Sequence, residues 1–292
     1  MSGFAPFVSG DIFVTATELD GTSRFPTGKG RVRQFDGDFK LKAEVSTGRV
    51  GLVSSLNIGP DGVLWVMDAQ ARGFDRYAPS GKRLPPFPTL PAAGFGSVVF
   101  AADGTTLIAD HFCAPEGPFA GTGHVHRIDG KGTVLATWHT ETNGGIAHFL
   151  GTTHMALVDG GKTLIHLSET GAHVYAHDLA ADRRLGAFYT RADPPPFLFG
   201  LTELAGGDIA VCEGDHIRRI GRDGSLKAKW DMGGGRGWSV LAHRPSRTSL
   251  WACDFMGGTL AEIDGTTGAV IRKQELGLPQ ALAGVAEVGT SA

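Results

Sequence analysis

One turn pattern recurs along the chain at intervals of about 40 to 50 residues. Each unit has a β-rich segment, a glycine-containing turn, a second β-rich segment ending near an acid, a loop and a short hairpin. The turns between first and second segments lie at residues 60–62, 102–104, 159–161 and 206–207. A repeat of this length is typical of folds in which each unit buries its apolar face against the next one.

Six second segments can be aligned, at residues 12–14, 64–68, 107–110, 164–168, 209–213 and 250–254. Hairpin turns follow them at residues 36–37, 79–81, 129–130, 180–182, 223–224 and 264–265. The chain also contains 44 glycines and 15 prolines, as expected where many tight turns join short strands. The pattern therefore predicts an all-β protein built from six units.

The two ends of the chain complement each other. The first unit begins with a second strand, and the chain ends in an unassigned apolar segment, residues 280–286. If this segment forms the innermost strand of the first unit, the ring closes and an unpaired sheet edge is removed. We therefore predict a six-bladed β-propeller with four strands in each blade, forming a single domain over residues 1–292 in which the C-terminal segment closes the first blade.

Composition and charge exclude several classes of protein. No run of about 18 apolar residues is present, which argues against a membrane helix. The net charge of -3, with basic residues scattered, gives no footprint for nucleic acid. Residues 1–10 do not resemble a secretory signal, and Cys113, Cys212 and Cys253 form no CxxC pair. The sequence thus predicts a cytoplasmic protein with free thiols, unless a leader has been removed.

Two segments carry a resemblance to known propellers. Residues 160–175, GGKTLIHLSETGAHVY, resemble a repeat of the family of gluconolactonase, senescence marker protein and luciferin-regenerating enzyme. Residues 60–68, PDGVLWVMD, are similar both to that family and to NHL-repeat propellers. The resemblance implies a six-bladed propeller and lactone or ester hydrolysis assisted by one divalent metal at the channel mouth.

The metal ligands of that family are mostly not matched in this chain. Thr153 and Phe199 stand where the resemblance places an asparagine and an aspartate. The corresponding place in the second blade is near Ser54 and Ser55, and in the closing blade Gln280 stands near the expected glutamate. Whether a divalent metal is the cofactor therefore remains open, and no metal ligand is assigned.

A propeller brings the ends of second strands and the starts of innermost strands to one face. His111, His148 and His154 belong there, near the junction of the third and fourth blades, and imidazole exchanges protons near neutral pH. We predict that these histidines carry acid/base chemistry and that Asp110 orients them. Each could instead be an ordinary structural histidine, and a transition-metal site is a further alternative, although their spacing matches no short zinc motif.

The same face collects the predicted substrate-binding residues Phe112, Phe149, Thr153, Phe199, Trp238, Asp254 and Phe255. If Phe95 and Phe197 join them, the ligand is apolar or aromatic; the alternative is packing between blades. The acids that recur at second-strand ends, including Asp68 and Glu213, either accept backbone hydrogen bonds or form an acidic ring. The long loop 111–123 either covers the pocket or is a surface insertion.

Three functional hypotheses follow from these observations. The first is an enzyme acting on a small, largely apolar or aromatic molecule, with lactone or ester hydrolysis favoured by the resemblance. The second is a metal-free lyase, isomerase or cyclase on the same scaffold. The third is a non-catalytic propeller that binds a ligand or a protein partner through the same face.

Overall fold

The computed structural model describes residues 3–21, 25–114, 116–117, 120–140, 151–192, 198–233, 237–244 and 248–289. These residues form β-strands, turns and loops, and the strands are numbered β1 to β26 in chain order. None of the described segments is a helix long and apolar enough to cross a membrane. The strands group into six blades, which confirms the predicted all-β propeller.

Blades 1 to 3 come first in the chain. Blade 1 contains β26 (Val285–Glu287), β1 (Ile12–Thr15), β3 (Gly28–Phe35) and β4 (Leu41–Gly51), with the short β2 (Glu18–Leu19) beside β3. Blade 2 contains β5 (Val53–Ile58), β6 (Leu64–Asp68) and β7 (Gly73–Tyr77). Blade 3 contains β8 (Phe95–Phe100), β9 (Thr106–Asp110), β12 (Val125–Ile128) and β13 (Val134–Trp138), and β10 (Cys113–Ala114) pairs with β11 (Gly121–Thr122) in a separate ribbon.

Blades 4 to 6 each have four strands in sequential order. Blade 4 contains β14 (His154–Val158), β15 (Thr163–Leu167), β16 (His173–Asp178) and β17 (Arg183–Thr190). Blade 5 contains β18 (Leu201–Glu203), β19 (Ile209–Cys212), β20 (His216–Ile220) and β21 (Leu226–Asp231). Blade 6 contains β22 (Trp238–His243), β23 (Ser249–Asp254), β24 (Thr259–Asp264) and β25 (Val270–Glu275).

Burial follows the position of a strand within its blade. The second strands β6, β9, β19 and β23 are buried along their whole length, because neighbouring blades cover both of their faces. The outermost strands β13 and β25 have no fully buried residue, because one face meets water. Apolar clusters lie between adjacent blades, as in the cluster formed by Ile165, Leu167 and Val211 from blades 4 and 5.

The predicted ring closure is confirmed. Strand β26 pairs antiparallel with β1, with Phe13 opposite Ala286 and Val14 opposite Val285. The approach to β26 is fixed by Thr15, whose hydroxyl donates to the carbonyl of Ala281 at 2.7 Å and accepts the N–H of Ala283 at 2.6 Å. The closing strand is shorter than the predicted segment, since it begins at Val285.

Blade 2 departs from the predicted four strands. Its fourth strand is replaced by one isolated bridge between Tyr77 and Arg83. Pro85 and Pro86 follow this bridge, and because proline has no N–H the ladder cannot continue through them. Arg83 also forms a side-chain contact at this edge: its Nε donates to the Asp75 carboxylate at 3.1 Å.

Inner strands and second strands meet at one face of the ring. His154, which begins β14, lies opposite Leu167, which ends β15, and Val53 of β5 lies opposite Asp68 of β6. The antiparallel register therefore brings the starts of inner strands and the ends of second strands to one side, as the sequence predicted. We call this side the upper face.

Candidate functional site

A cavity of about 280 Å³ opens on the upper face at the mouth of the central channel. The channel below it has a volume of about 500 Å³ and is lined by the innermost strands of all six blades. Both spaces are lined by Ser54, His154, Val240 and Ala283, so they adjoin at these residues. The mouth cavity is the place where the loops of several blades converge.

The recurring acids hold the turns beside this cavity. Asp110 Oδ2 accepts the backbone N–H of Thr122 at 2.7 Å, which ties the β10–β11 ribbon to the end of β9. Asp254 Oδ1 accepts the N–H of Gly257 at 2.9 Å. Asp68 acts in the same way, accepting the N–H groups of Leu52 and Ala71. The sequence left open whether these acids accept backbone hydrogen bonds or form an acidic ring. Asp68, Asp110 and Asp254 accept backbone hydrogen bonds.

Glu213 is an exception among the recurring acids because it forms ion pairs instead. Its Oε2 atom lies 2.7 Å from Nε of Arg218 and 2.8 Å from Nε2 of His216. Glu213 is buried and is not part of the cavity wall. Its contacts hold neighbouring strands together.

The residue that follows the recurring acid position faces the cavity. In four blades this residue lines the wall: Ala69, His111, Glu169 and Phe255. In blade 4 the acid position itself is taken by Ser168, so Glu169 is the cavity residue rather than the turn acid. The residue directly after the repeated acid position, which differs from blade to blade, therefore determines which side chain each of these blades contributes to the wall.

His111 is almost fully enclosed, with 9% of its surface exposed. Its ring meets the ring of Phe112 edge to face, with centroids 4.8 Å apart and an interplanar angle of 76°. Strand β8 also approaches the His111 ring closely at Gly96, where an added Cβ would lie 2.3 Å from His111 Nδ1. Burial, and to a smaller extent the nearby His154, lower the pKa of His111 to about 3, so this imidazole is neutral at physiological pH.

His154 lies at the junction of the mouth cavity and the channel. Its Nδ1 atom is 3.1 Å from the hydroxyl of Thr153, which leaves Nε2 as the ring nitrogen for a ligand. Burial lowers the pKa of His154 to about 4. The ring is therefore also neutral near pH 7 and can offer a hydrogen bond without carrying charge.

Glu169 is the one acid on the described wall of the cavity. No other described residue makes a hydrogen bond or ion pair with its carboxyl group that would favour the charged form, and burial among apolar groups raises its pKa to about 7. Such a carboxyl group exchanges its proton at physiological pH. Sequence reasoning did not single out Glu169; its place directly after the recurring acid position, shared with His111, is the signal that could have found it.

The rest of the wall is mostly apolar. It includes Phe25, Pro26, Leu52, Ala69, Phe112, Phe199, Val240, Phe255, Met256 and Ala283. Most of these residues come from blades 1, 2, 5 and 6, whereas Glu169, His111, Thr153 and His154 come from blades 3 and 4. The acid and the imidazoles thus share one side of the cavity, whereas the opposite side is mostly apolar and carries Ser54, Gln70 and Ser239 as its polar residues among those described.

The structure places the predicted site residues in three groups. His111, Phe112, Thr153, His154, Phe199 and Phe255 line the cavity. Asp110, Asp254 and Trp238 do not line it, since the two acids hold turns and the Trp238 indole is buried between blades 5 and 6 and donates to the carbonyl of Gly233 at 3.2 Å. His148, Phe149 and Phe197 lie outside the described residues.

Asp110 was predicted to orient the histidines, and its Oδ2 atom accepts from both the N–H and the hydroxyl of Thr122, at 2.7 and 3.2 Å. Phe95 packs in the apolar cluster between blades 2 and 3. Neither side chain belongs to the described wall of the cavity.

The wall does not fit the metal cage of the gluconolactonase family. Ser54, Thr153 and Phe199 line the cavity at places where that resemblance implies amide or carboxylate ligands. Gln280 is not on the wall, where Ala283 is found instead. Across the described part of the chain, no three His, Cys, Asp or Glu side chains are grouped closely enough to hold a metal ion.

Fold and site together define a six-bladed β-propeller with a cavity at the channel mouth, and the described part of its wall carries one acid and two neutral imidazoles. No family model matches the chain, and no curated protein matches it significantly. Solved structures resemble it with 12–15% sequence identity, which shows a shared fold alone.

Three of these structures illustrate the range of similar propellers. Virginiamycin B lyase from Staphylococcus aureus with quinupristin has 12% identity over 95% of this chain and 89% of that chain, with a TM-score of 0.62. A protein of unknown function from Bacteroides caccae has 15% identity over 96% and 99%, with a TM-score of 0.67. A chain of a nidogen/laminin complex has 12% identity over 97% and 100%, also with a TM-score of 0.67.

Proposed function

We propose that this chain is an enzyme that transfers a proton on a small, largely apolar molecule bound in the mouth cavity. Glu169 is the base, and His154 and His111 are neutral hydrogen-bond donors. The observation that carries this proposal is the placement of Glu169 and two neutral imidazoles, from two adjacent blades, on the wall of one mostly apolar cavity. A site of this kind is a candidate active site because apolar walls strengthen each polar interaction inside it.

The chemistry follows from the protonation states. With a pKa of about 7, the Glu169 carboxylate is a stronger base than an ordinary glutamate, and about half of it is deprotonated near pH 7. It can remove a proton from carbon next to a carbonyl, while the electron pair moves onto the carbonyl oxygen. A neutral imidazole of His154 or His111 then donates to that oxygen. Returning the proton to another carbon gives an isomerase, and expelling a group from the neighbouring carbon gives a lyase.

Lactone or ester hydrolysis is the second candidate, and the resemblance of residues 160–175 favours it. In that reaction Glu169 would take a proton from the water that attacks the carbonyl carbon, and the imidazoles would donate to the carbonyl oxygen. The tetrahedral intermediate then collapses by breaking the C–O bond of the ester or lactone, and the leaving alkoxide takes the proton from Glu169. A lyase is present among the proteins with a similar fold, as is a chain from a protein complex. Because those likenesses concern the fold, the reaction must be decided by experiment.

The test uses 5-nitro-1,2-benzisoxazole, a small aromatic compound whose ring opens when a base removes the proton on C3. The proton passes to the base, the N–O bond breaks, and a nitrile and a coloured phenolate form. We expect the protein to accelerate this reaction, and Glu169→Gln to lower the rate about 100-fold or more. Glu275→Gln, an exposed glutamate on β25, is the matched control and should leave the rate unchanged.

A parallel assay with the lactone dihydrocoumarin separates the alternatives. Cleavage of dihydrocoumarin without turnover of the benzisoxazole would replace the proton-transfer proposal by hydrolysis. Turnover of neither compound would contradict an enzymatic role for these groups and favour a binding propeller. Full benzisoxazole activity in Glu169→Gln would remove Glu169 as the base.

A further inference from the structure

The described wall of the cavity carries an acidic side chain but no lysine or arginine. Glu169 is the one acid of this described wall. The guanidinium of Arg218 on β20 is paired with Glu213 and does not line the cavity. Among the described residues of the wall, an anionic ligand would therefore meet no countercharge to replace its lost hydration.

A cationic ligand is disfavoured by different groups. Phenylalanine rings can hold a cation, and the Glu169 carboxylate could balance its charge. That carboxyl group is, however, the one acid of the described wall, and burial leaves it partly protonated near pH 7, so it balances a cation incompletely. The two neutral imidazoles add no negative charge. The wall is therefore better suited to a molecule without charge.

The two sides of the cavity orient such a molecule. His154 lies on the side formed by blade 4 and can donate to one oxygen or nitrogen acceptor of the ligand, beside Glu169. Phe199 and Phe255 lie on the side formed by blades 5 and 6 and offer aromatic surface to a ring. The other polar groups of the described wall, outside blades 3 and 4, are few: Gln70 Nε2 donates to a backbone carbonyl at 3.0 Å, and Ser54 and Ser239 add hydroxyl groups.

We propose that the substrate is an uncharged, ring-containing molecule with few hydrogen-bonding groups, bound with an acceptor towards His154, the neighbouring carbon towards Glu169 and its ring against Phe199 and Phe255. A sugar with many hydroxyl groups does not fit this wall. The inference deepens the proposed function by naming the class of substrate, and it rests on that function only for which end of the molecule reacts.

Two fluorescent probes of similar shape test the charge preference. N-phenyl-1-naphthylamine is uncharged, whereas 8-anilino-1-naphthalenesulfonate carries a sulfonate. We expect the wild-type protein to bind one molecule of the uncharged probe at least about tenfold more tightly than the anionic probe. Trimethylphenylammonium chloride should not displace the uncharged probe, whereas dihydrocoumarin should.

Met256→Lys tests whether the missing cation sets this preference. Met256 is 58% exposed at the cavity rim, so the substitution should not disturb folding. We expect Met256→Lys to strengthen binding of the anionic probe about tenfold. Leu226→Lys, at an exposed position on the outer strand β21, is the matched control and should change neither probe.

The outcomes of these assays separate the substrate class from the reaction. Equal binding of both probes to the wild-type protein, or tighter binding of the anionic or cationic compound, would overturn the inference even if the benzisoxazole is turned over. Glu169→Gln should still bind the uncharged probe after losing proton transfer. Binding of the uncharged probe with no catalysis would leave the ligand class supported and the enzymatic proposal contradicted.

Discussion

His111 reaches its place on the cavity wall because the adjacent strand has no side chain at residue 96. A Cβ at Gly96 would lie 2.3 Å from Nδ1 and 2.8 Å from Cβ of His111. The backbone at Gly96 is not in the left-handed region, so alanine is conformationally allowed there. The glycine is therefore needed for the close approach of the imidazole rather than for its backbone angles.

Gly96→Ala should displace the His111 ring without removing it. We expect the rate with 5-nitro-1,2-benzisoxazole to fall about tenfold, because a donor shifted by a fraction of an ångström stabilises the developing oxyanion poorly. The free energy of unfolding should fall by about 1–3 kcal/mol through overpacking. Both are measured against Gly130→Ala, where an added Cβ meets nothing within 4 Å. Equal rates in the two variants would mean that His111 has no part in the reaction.

At the scale of the strands, the repeat in the sequence was sufficient to predict most of the architecture. The glycine turns separate the strands where predicted, as at residues 102–104 between β8 and β9 and at 223–224 between β20 and β21. These predictions succeeded because turn residues and strand periodicity act locally. The missing fourth strand of blade 2 could also have been anticipated, since Pro85 and Pro86 cannot donate to a ladder.

The cavity was less accessible to sequence reasoning. The repeat predicted which face carries the loops, and it brought His111 and His154 to that face. The repeat made the recurring acids the candidate site residues. In the structure Asp110 and Asp254 accept backbone hydrogen bonds in turns, and the residue after each of them faces the cavity. The pKa of Glu169 is raised by burial in a cavity whose wall comes from several blades, and no local pattern in the sequence encodes that environment.

The molecule as a whole is closed by a buried charge network as well as by strand pairing. Glu287, the last residue of β26, accepts from Nε and Nη2 of Arg244 at 2.5 and 2.9 Å and from the Trp251 indole at 2.7 Å. Arg244 is 3% exposed and is also paired with Glu262 of blade 6. The network thus joins the closing strand of blade 1 to blade 6.

Glu287→Gln should weaken this closure markedly. Removing one charge leaves Arg244 buried with an incomplete set of partners, and we expect the free energy of unfolding to fall by about 3 kcal/mol in urea denaturation. Glu44→Gln is the control, since Glu44 pairs with Arg31 and Arg33 on the surface of blade 1 and should contribute at most about 1 kcal/mol. Similar losses in both variants would contradict a special role of the network in ring closure.

The pH dependence of proton transfer tests the central claim most directly. The Glu169 base must be ionised to act, and its pKa is about 7, whereas His111 and His154 titrate at about 3 and 4 and add no step above pH 5. We therefore predict that kcat/KM for 5-nitro-1,2-benzisoxazole rises with pH through a single midpoint near 7 and is then constant. A midpoint near the ordinary glutamate value, or a profile that Glu169→Gln leaves unchanged, would contradict the account.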